Sequence, residues 1–282
     1  MVGESIDLFK TRDHVADFDR YLVAFSERSQ ETRAVQISRL DVRYGEGPNE
    51  KLDLFLPAGL NSPRPIHLFV HGGYWRMFTK NDFSFVADTV VAAGGIAAIV
   101  DYDLMPAVRM KTIVAQVRCA AAWLVANASS FGGDANRLTI SGHSAGAHLC
   151  CTLLETTSAV RPQSALLLSG IYQLAPLQTS FLQPLISLTD EEVADFSPAS
   201  KSYRVGGQIT LLVGEHETKP FHVQADEMAA MFAAQGVTAT RSDVANANHM
   251  SIALDLGDAA SVVGQTLTRM IAARTLDIEI YA

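Results

Sequence analysis

The spacing of apolar residues changes character along the chain. Over residues 14–33, Val15, Phe18, Tyr21, Leu22 and Phe25 recur every three or four positions, which predicts an amphipathic helix. Two alternating runs follow, AVQISRLDVRY (34–44) and KLDLFLP (51–57). The turn Gly45-Glu46-Gly47-Pro48 separates them, so they predict an antiparallel hairpin. Residues 57–65 form a proline-rich loop, and beyond it the alternation stops. IHLFVHG (66–72), GIAAIVDYD (95–103), RLTISGH (137–143), SALLLSG (164–170) and QITLLVGE (208–215) are nearly continuous apolar runs, as expected of strands covered on both faces. GVTATRSDV (236–244) reads as a sixth strand of this set. Helical stretches over 82–93, 108–128, 145–156, 220–234 and 251–274 separate or follow these strands. Such alternation predicts a parallel sheet with helices on both faces. With the hairpin added, the expectation is α/β: a mostly parallel eight-stranded sheet with an antiparallel N-terminal pair.

One segment breaks the rhythm. Residues 171–205 carry prolines and mixed polar residues without a clean period, and they are too many for a simple connection. They are expected to form an insertion, or cap, over the C-terminal edge of the sheet, where ligands bind in such folds. Without a linker, repeat or low-complexity tract, residues 1–282 read as a single domain.

Composition narrows the partners. The 282 residues are 48% hydrophobic, enough for a large core, and the net charge of −8 argues against gripping nucleic acid or anionic membrane through bulk charge. Three cysteines, Cys119, Cys150 and Cys151, are too few and odd in number for a disulfide framework. Their spacing to histidine does not resemble a zinc site, so no metal is expected. The N-terminal MVGESIDLFKTRD lacks a basic segment followed by an apolar run, and no window approaches 18 uninterrupted apolar residues. A cytoplasmic protein acting on a small molecule is the expectation, with oligomeric state left open and a homodimer as one option.

The candidate chemistry begins at ISGHSAGAHLCC (140–151). In G-x-S-x-G the serine occupies a sharp strand-to-helix turn, and bulk at either flank would clash. At this length the motif arises by chance in roughly one chain in ten. Here it stands between a buried strand and a helix, the context it requires, which makes Ser144 the candidate nucleophile. VHGGYW (70–75) follows the first buried strand. Its two glycines can turn N–H groups inward, so Gly72, Gly73 and Ala145 are the expected oxyanion-hole donors. The base should follow the last strand, which selects His249 in NANHMSI. His148 sits four residues after Ser144 and is expected to point away, and His71 comes too early and is read as a loop-orienting residue. The acid should follow QITLLVG, which leaves Glu215 and Glu217. Glu217 is favoured, Glu215 is its rival, and Asp243 lies within the last strand.

HGGYW paired with GHSAGAHL resembles the kynurenine formamidase (arylformamidase) branch of the α/β-hydrolase superfamily, near the hormone-sensitive-lipase-like esterases. The resemblance runs through DYDLMP, QVRCAAAWL, VGEHETKPFHVQA and NANHMSI and covers roughly residues 65–260. It implies the α/β-hydrolase fold and a Ser-acid-His hydrolase of small formamides or esters without a cofactor. It also implies Glu217 as the acid, since the family's acid stands shortly before a phenylalanine opening the next helix, as Glu217 stands before Phe221. Many relatives carry Asp there, so Glu is a departure.

For a formamide the acyl group is only a formyl, so specificity must come from the amine. Tyr74 and Trp75 are expected to pack on a flat group, and Arg76 and Arg109, with Lys111, to pair with a substrate carboxylate. The plainer reading of each cation is a solvated surface charge. An anionic N-formyl amide of the N-formylkynurenine type fits these features; a formamido dicarboxylate from heterocycle breakdown or a short carboxylester fits nearly as well. A hydrolase-fold protein that only binds ligand is the reading from a different class, and His249 argues against it.

Overall fold

The computed structural model describes residues 6–59, 62–203 and 207–273. Of the stretches discussed above, residues 1–5 of the N-terminal segment, 60–61 of the proline-rich loop, 204–205 of the insertion and Arg274 of the last helical stretch lie outside the described residues.

Eight strands form one sheet: β1 (Ile37–Arg43), β2 (Lys51–Leu56), β3 (Arg64–Val70), β4 (Ile96–Val100), β5 (Gly133–His143), β6 (Ser164–Leu168), β7 (Gln208–Gly214) and β8 (Ala239–Val244). Their spatial order is β1-β2-β4-β3-β5-β6-β7-β8. β1 pairs antiparallel with β2, and β2 antiparallel with β4; every later pairing is parallel. This is the sheet that the patterning predicts.

The α-helices are α1 (Phe18–Val35), α2 (Val86–Ala92), α3 (Met110–Asn127), α4 (Ala145–Leu154), α5 (Gln183–Ile186), α6 (Asp190–Phe196), α7 (Lys219–Ala234), α8 (Ser251–Leu254) and α9 (Val262–Ala272). Ile66, Leu68 and Val70 of β3 face a core shared with α3, α4 and α7, while Phe69 on the opposite face packs in a core with residues of α1, α2, α8 and α9. Both faces of the central strands are therefore covered, which is why their sequences read as unbroken apolar runs. His67 is the polar exception. It is fully buried, with Nδ1 2.8 Å from Thr139 Oγ1 and Nε2 2.7 Å from Ser141 Oγ on β5, and burial lowers its pKa to about 3.

Two helical expectations need correction. A 3-10 turn, Thr11–Asp13, precedes the 14–33 stretch, residues 14–17 are non-helical, and α1 starts only at Phe18. The stretch 251–274 is interrupted: α8 ends at Leu254, a 3-10 turn covers Asp255–Gly257, and α9 begins after Ser261, whose hydroxyl caps the Gly264 N–H at 2.9 Å. The interruption has a tertiary cause. Gly257 lies against Phe85, and Arg28 of α1 donates to the carbonyls of Leu254 and Gly257 at 3.2 and 2.7 Å. These bonds, with the Arg33–Asp53 ion pair, fix α1 over the sheet. None of the described helices is long and apolar enough to cross a membrane.

Residues 171–203 fold into a 3-10 turn (Ala175–Thr179), α5, α6 and a second 3-10 turn (Pro198–Ser200). Thr189 and Glu192 form a reciprocal capping box at the start of α6, at 3.1 and 3.2 Å.

Candidate active site

Ser144 sits between the end of β5 and the first residue of α4, with φ 55° and ψ −119°. A non-glycine residue held at such a φ costs on the order of 1–3 kcal/mol and persists only where its surroundings dictate it. Here they do. The Ser144 N–H donates to Leu168 O at 2.8 Å, and the flanking glycines permit a contact no side chain would allow. A Cβ on Gly146 would overlap the carbonyls of Val70 and His71, and one on Gly142 would overlap the backbone of Gly146. The two glycines of the motif are thus required by packing of β3 and α4 against the turn.

The loop after β3 lies directly on this turn. A Cβ on Gly72 would sit 2.7 Å from His143 O and 3.2 Å from Ser144 Cβ, and Gly73 has φ +99°. Among the described residues, the N–H groups of Gly72, Gly73 and Ala145 take no hydrogen-bond acceptor. They are free donors next to the serine, as an oxyanion hole needs. His71 orients the loop from behind: its ring stacks on Tyr102 at 4.3 Å, its Nδ1–H donates to Gly72 O at 2.8 Å, and the Tyr102 hydroxyl donates to His71 O at 2.7 Å.

His249 and Glu217 meet. His249 Nδ1–H donates to Glu217 Oε2 at 2.6 Å, both side chains being nearly excluded from solvent. The other carboxylate oxygen accepts from the Gly214 N–H at 2.7 Å and from the Ser169 hydroxyl at 2.5 Å. A carboxylate so held fixes the imidazole tautomer with Nε2 free to accept a proton. Glu215, by contrast, is exposed and accepts from the Asn246 N–H at 2.8 Å, and Asp243 pairs with Arg241 and His222. His143 supports the base from the other side: its Nε2–H donates to His249 O at 2.8 Å, and its ring lies 4.6 Å from the His249 ring. Burial, helped by the neighbouring His249, holds the His143 pKa well below the usual histidine range, so it stays neutral.

Ser144 and His249 line one small cavity of about 30 Å³. Gly73, Tyr74 and His143 contribute to its wall, and Met77, Phe78, Phe83 and Met250 make much of the rest. Thr11, Phe18 and Phe25 complete it from the N-terminal segment. Among the described residues, no lysine, arginine, aspartate or glutamate lines it, and none of residues 171–203 does.

Two of the expected substrate contacts, Trp75 and Arg109, change meaning. Trp75 is fully buried, away from the cavity. Its Nε1–H donates to His148 Nδ1 at 3.2 Å, and His148 Nε2–H donates to Phe196 O at 2.8 Å. Burial lowers the His148 pKa to about 4, so this neutral imidazole ties the glycine loop, α4 and α6 together. Arg109 is spent on structure: its guanidinium bonds both carboxylate oxygens of Glu192 and donates to the carbonyls of Ile186 and Ser187 at 3.0 and 2.8 Å. Glu192 also accepts from the Met110 N–H at the start of α3, at 3.1 Å. Tyr74 does line the cavity, but its hydroxyl is engaged elsewhere. Arg76 has no acidic partner among the described residues, its buried Nε is unpaired, and it does not line the cavity.

Arg109→Ala is therefore expected to lower stability by about 1–2 kcal/mol, by leaving Glu192 short of a charged partner, without changing KM for an anionic substrate. Thermal melts and steady-state kinetics check this; a raised KM at unchanged melting temperature would return Arg109 to the substrate.

Sequence reasoning missed Ser169 and the N-terminal wall. Ser169, next to last in SALLLSG and directly after β6, lies at the sheet's C-terminal edge with φ 50°, a position that strand-edge chemistry alone makes worth noting. Phe18 and Phe25 carry only the signal of an ordinary buried helix face.

Comparison with known proteins agrees with this fold. The BD-FAE family model matches residues 52–169. The kynurenine formamidase of Salmo salar is 30% identical over 262 residues, covering 89% of this chain and 88% of that protein. Among solved structures, a candidate thioesterase from Silicibacter sp. tm1040 superposes with a TM-score of 0.80 at 26% identity, covering 94% of this chain and 98% of the other. Esterase B from Lactobacillus rhamnosis superposes at 0.69 with 17% identity over 91% and 96%, a likeness of fold.

Proposed function

Because the chain belongs to the kynurenine formamidase family of α/β-hydrolases, we propose that this hydrolase cleaves the N-formyl amide of an aromatic amine through a formyl-Ser144 intermediate. The observation that carries the reading is the Glu217–His249 pair at 2.6 Å, whose histidine lines, with Ser144, a small cavity. A small cavity lined by the nucleophile and the base suits reaction at a formyl or other short acyl group, with the amine extending toward the mouth.

In the proposed sequence, His249 Nε2 accepts the Ser144 hydroxyl proton as Oγ attacks the formyl carbon. The free N–H groups of Gly72, Gly73 and Ala145 receive the developing oxyanion. Glu217 stabilises the resulting imidazolium without taking its proton. The imidazolium returns that proton to the leaving nitrogen, the C–N bond breaks, and the amine departs. Water, activated by His249, then attacks the formyl ester and releases formate. Residues 171–203 would contribute a cap beside this site, through Phe181 against Tyr74 at 5.4 Å.

The uncharged wall weighs against a formamido dicarboxylate and leaves Arg76 and Lys111, outside that wall, as candidates for a substrate carboxylate. It equally favours a second reading, a short-chain carboxylesterase, since it asks nothing of the alcohol. Ranking N-formyl arylamines, with and without a carboxylate, against acetyl, butyryl and longer acyl amides and esters by kcat/KM tests both. Formyl amides of arylamines should lead, and Arg76→Ala should raise KM only for the carboxylate-bearing member. A preference for acyl chains of four carbons or more would overturn the small-acyl assignment.

A further inference from the structure

Tyr74 occupies an unusual position. It follows Gly73 at φ +99° and is itself at φ 54°, with Trp75 next at φ 59°, so three successive residues of the oxyanion loop are left-handed, two of them bulky. Such a run must be held from outside. Trp75 has its anchors: the indole bonds His148, and its carbonyl accepts from the Met105 N–H at 2.7 Å. The Tyr74 side chain has a different one. Its hydroxyl donates to Phe9 O at 2.7 Å, accepts from the Thr11 N–H at 3.2 Å and lies 2.8 Å from Thr11 Oγ1. All three bonds go to the segment before α1. Burial raises the Tyr74 pKa to about 12, so it remains a neutral phenol able to donate.

That segment also reaches the opposite half of the site. The Thr218 hydroxyl, one residue after Glu217, donates to Leu8 O at 2.6 Å. Phe9 packs edge-on to Phe221 at 6.1 Å, and Phe221 lies 4.5 Å from the His249 ring. Asp7 accepts from the Phe181 N–H at 2.5 Å, closing the segment onto residues 171–203. Residues 7–11 thus bridge the loop that carries the free N–H donors and the loops after β7 and β8 that carry the acid and the base. Thr11 itself lines the cavity.

We infer that residues 7–11 form a strap that sets the oxyanion loop in register with the Glu217–His249 pair, and that the Tyr74 hydroxyl is the latch through which it acts. Tyr74 is a positioning residue: it holds Gly72 and Gly73 where their N–H groups face the oxyanion. The inference rests on the serine-hydrolase reading of the site.

The test is Tyr74→Phe, which keeps the ring in the cavity wall and removes only the latch, paired with Thr11→Val, which removes the hydroxyl partner on the strap. Kinetics are measured with an N-formyl arylamine and with p-nitrophenyl acetate, alongside thermal melts. A loosened oxyanion loop costs part of what losing a donor costs, so kcat for Tyr74→Phe should fall about 10- to 30-fold on both substrates with KM changed less than about threefold. Thr11→Val should fall in the same direction by less, and the double variant should lose less than the product of the two, because both break one connection. Wild-type kcat in a folded Tyr74→Phe protein, or losses confined to KM, would overturn the strap while leaving the hydrolase reading intact. Absence of Ser144-dependent turnover in the unaltered protein would instead remove the reading on which the strap rests. If Tyr74→Phe melts early, Thr11→Val carries the same kcat-against-KM comparison.

Discussion

Ser144→Ala is expected to lower kcat for an N-formyl arylamine by about 10⁵- to 10⁶-fold while leaving the protein folded. The expectation follows from how Ser144 is held. Its φ of 55° is imposed by the turn, and alanine presents the same Cβ, so no new strain is added. Deleting Oγ removes the attacking atom while the free N–H groups of Gly72, Gly73 and Ala145 remain, and they sustain only a residual rate. The melting temperature should stay within a few degrees of the parent. Turnover within tenfold of the parent would assign the chemistry to another group.

The second large effect distinguishes the two glutamates. Glu217→Gln is expected to reduce kcat by about 10³- to 10⁴-fold. With the amide oxygen kept by the Gly214 N–H and the Ser169 hydroxyl, the amide nitrogen faces His249 Nδ1. The imidazole must then accept at Nδ1 and carry its proton on Nε2, the tautomer that cannot take the Ser144 proton. Glu215→Gln should change kcat by less than about twofold, because its carboxylate is exposed and engages only the loop N–H of Asn246. A pH–rate profile of both variants, with melts, separates loss of the base's orientation from loss of fold. Comparable losses in the two variants would undo the assignment of the acid.

The parts of this protein legible in its sequence are those whose cause is local. An apolar run with β-branched residues bounded by glycine makes a covered strand wherever it lies, and GHSAG between such a strand and a helix leaves the chain one tight turn to make. The sheet, its antiparallel edge and the placement of Ser144 all follow from such short stretches. His249 and Glu217 follow from the order of strand ends, which the alternation also supplies. The errors have one source, partners far along the chain. Trp75 reads as a pocket aromatic until His148, 73 residues on, accepts its N–H. Arg109 reads as an anion receptor until Glu192, 83 residues on, occupies it. The break between α8 and α9 is imposed by Arg28 and Phe85 rather than by any strong local stop beyond Gly257. The N-terminal wall was invisible for the same reason, since Thr11 meets Tyr74 across 63 residues.

The central claim is that Ser144 receives the acyl group with His249 as its base. Labelling the folded protein with a fluorophosphonate and mapping the adduct by peptide mass spectrometry tests it most directly. One adduct on the peptide carrying Ser144, absent in Ser144→Ala and slowed at least about 100-fold in His249→Ala, is the expected result. An adduct on another residue, or an unlabelled Ser144 in protein that still turns over substrate, would contradict it.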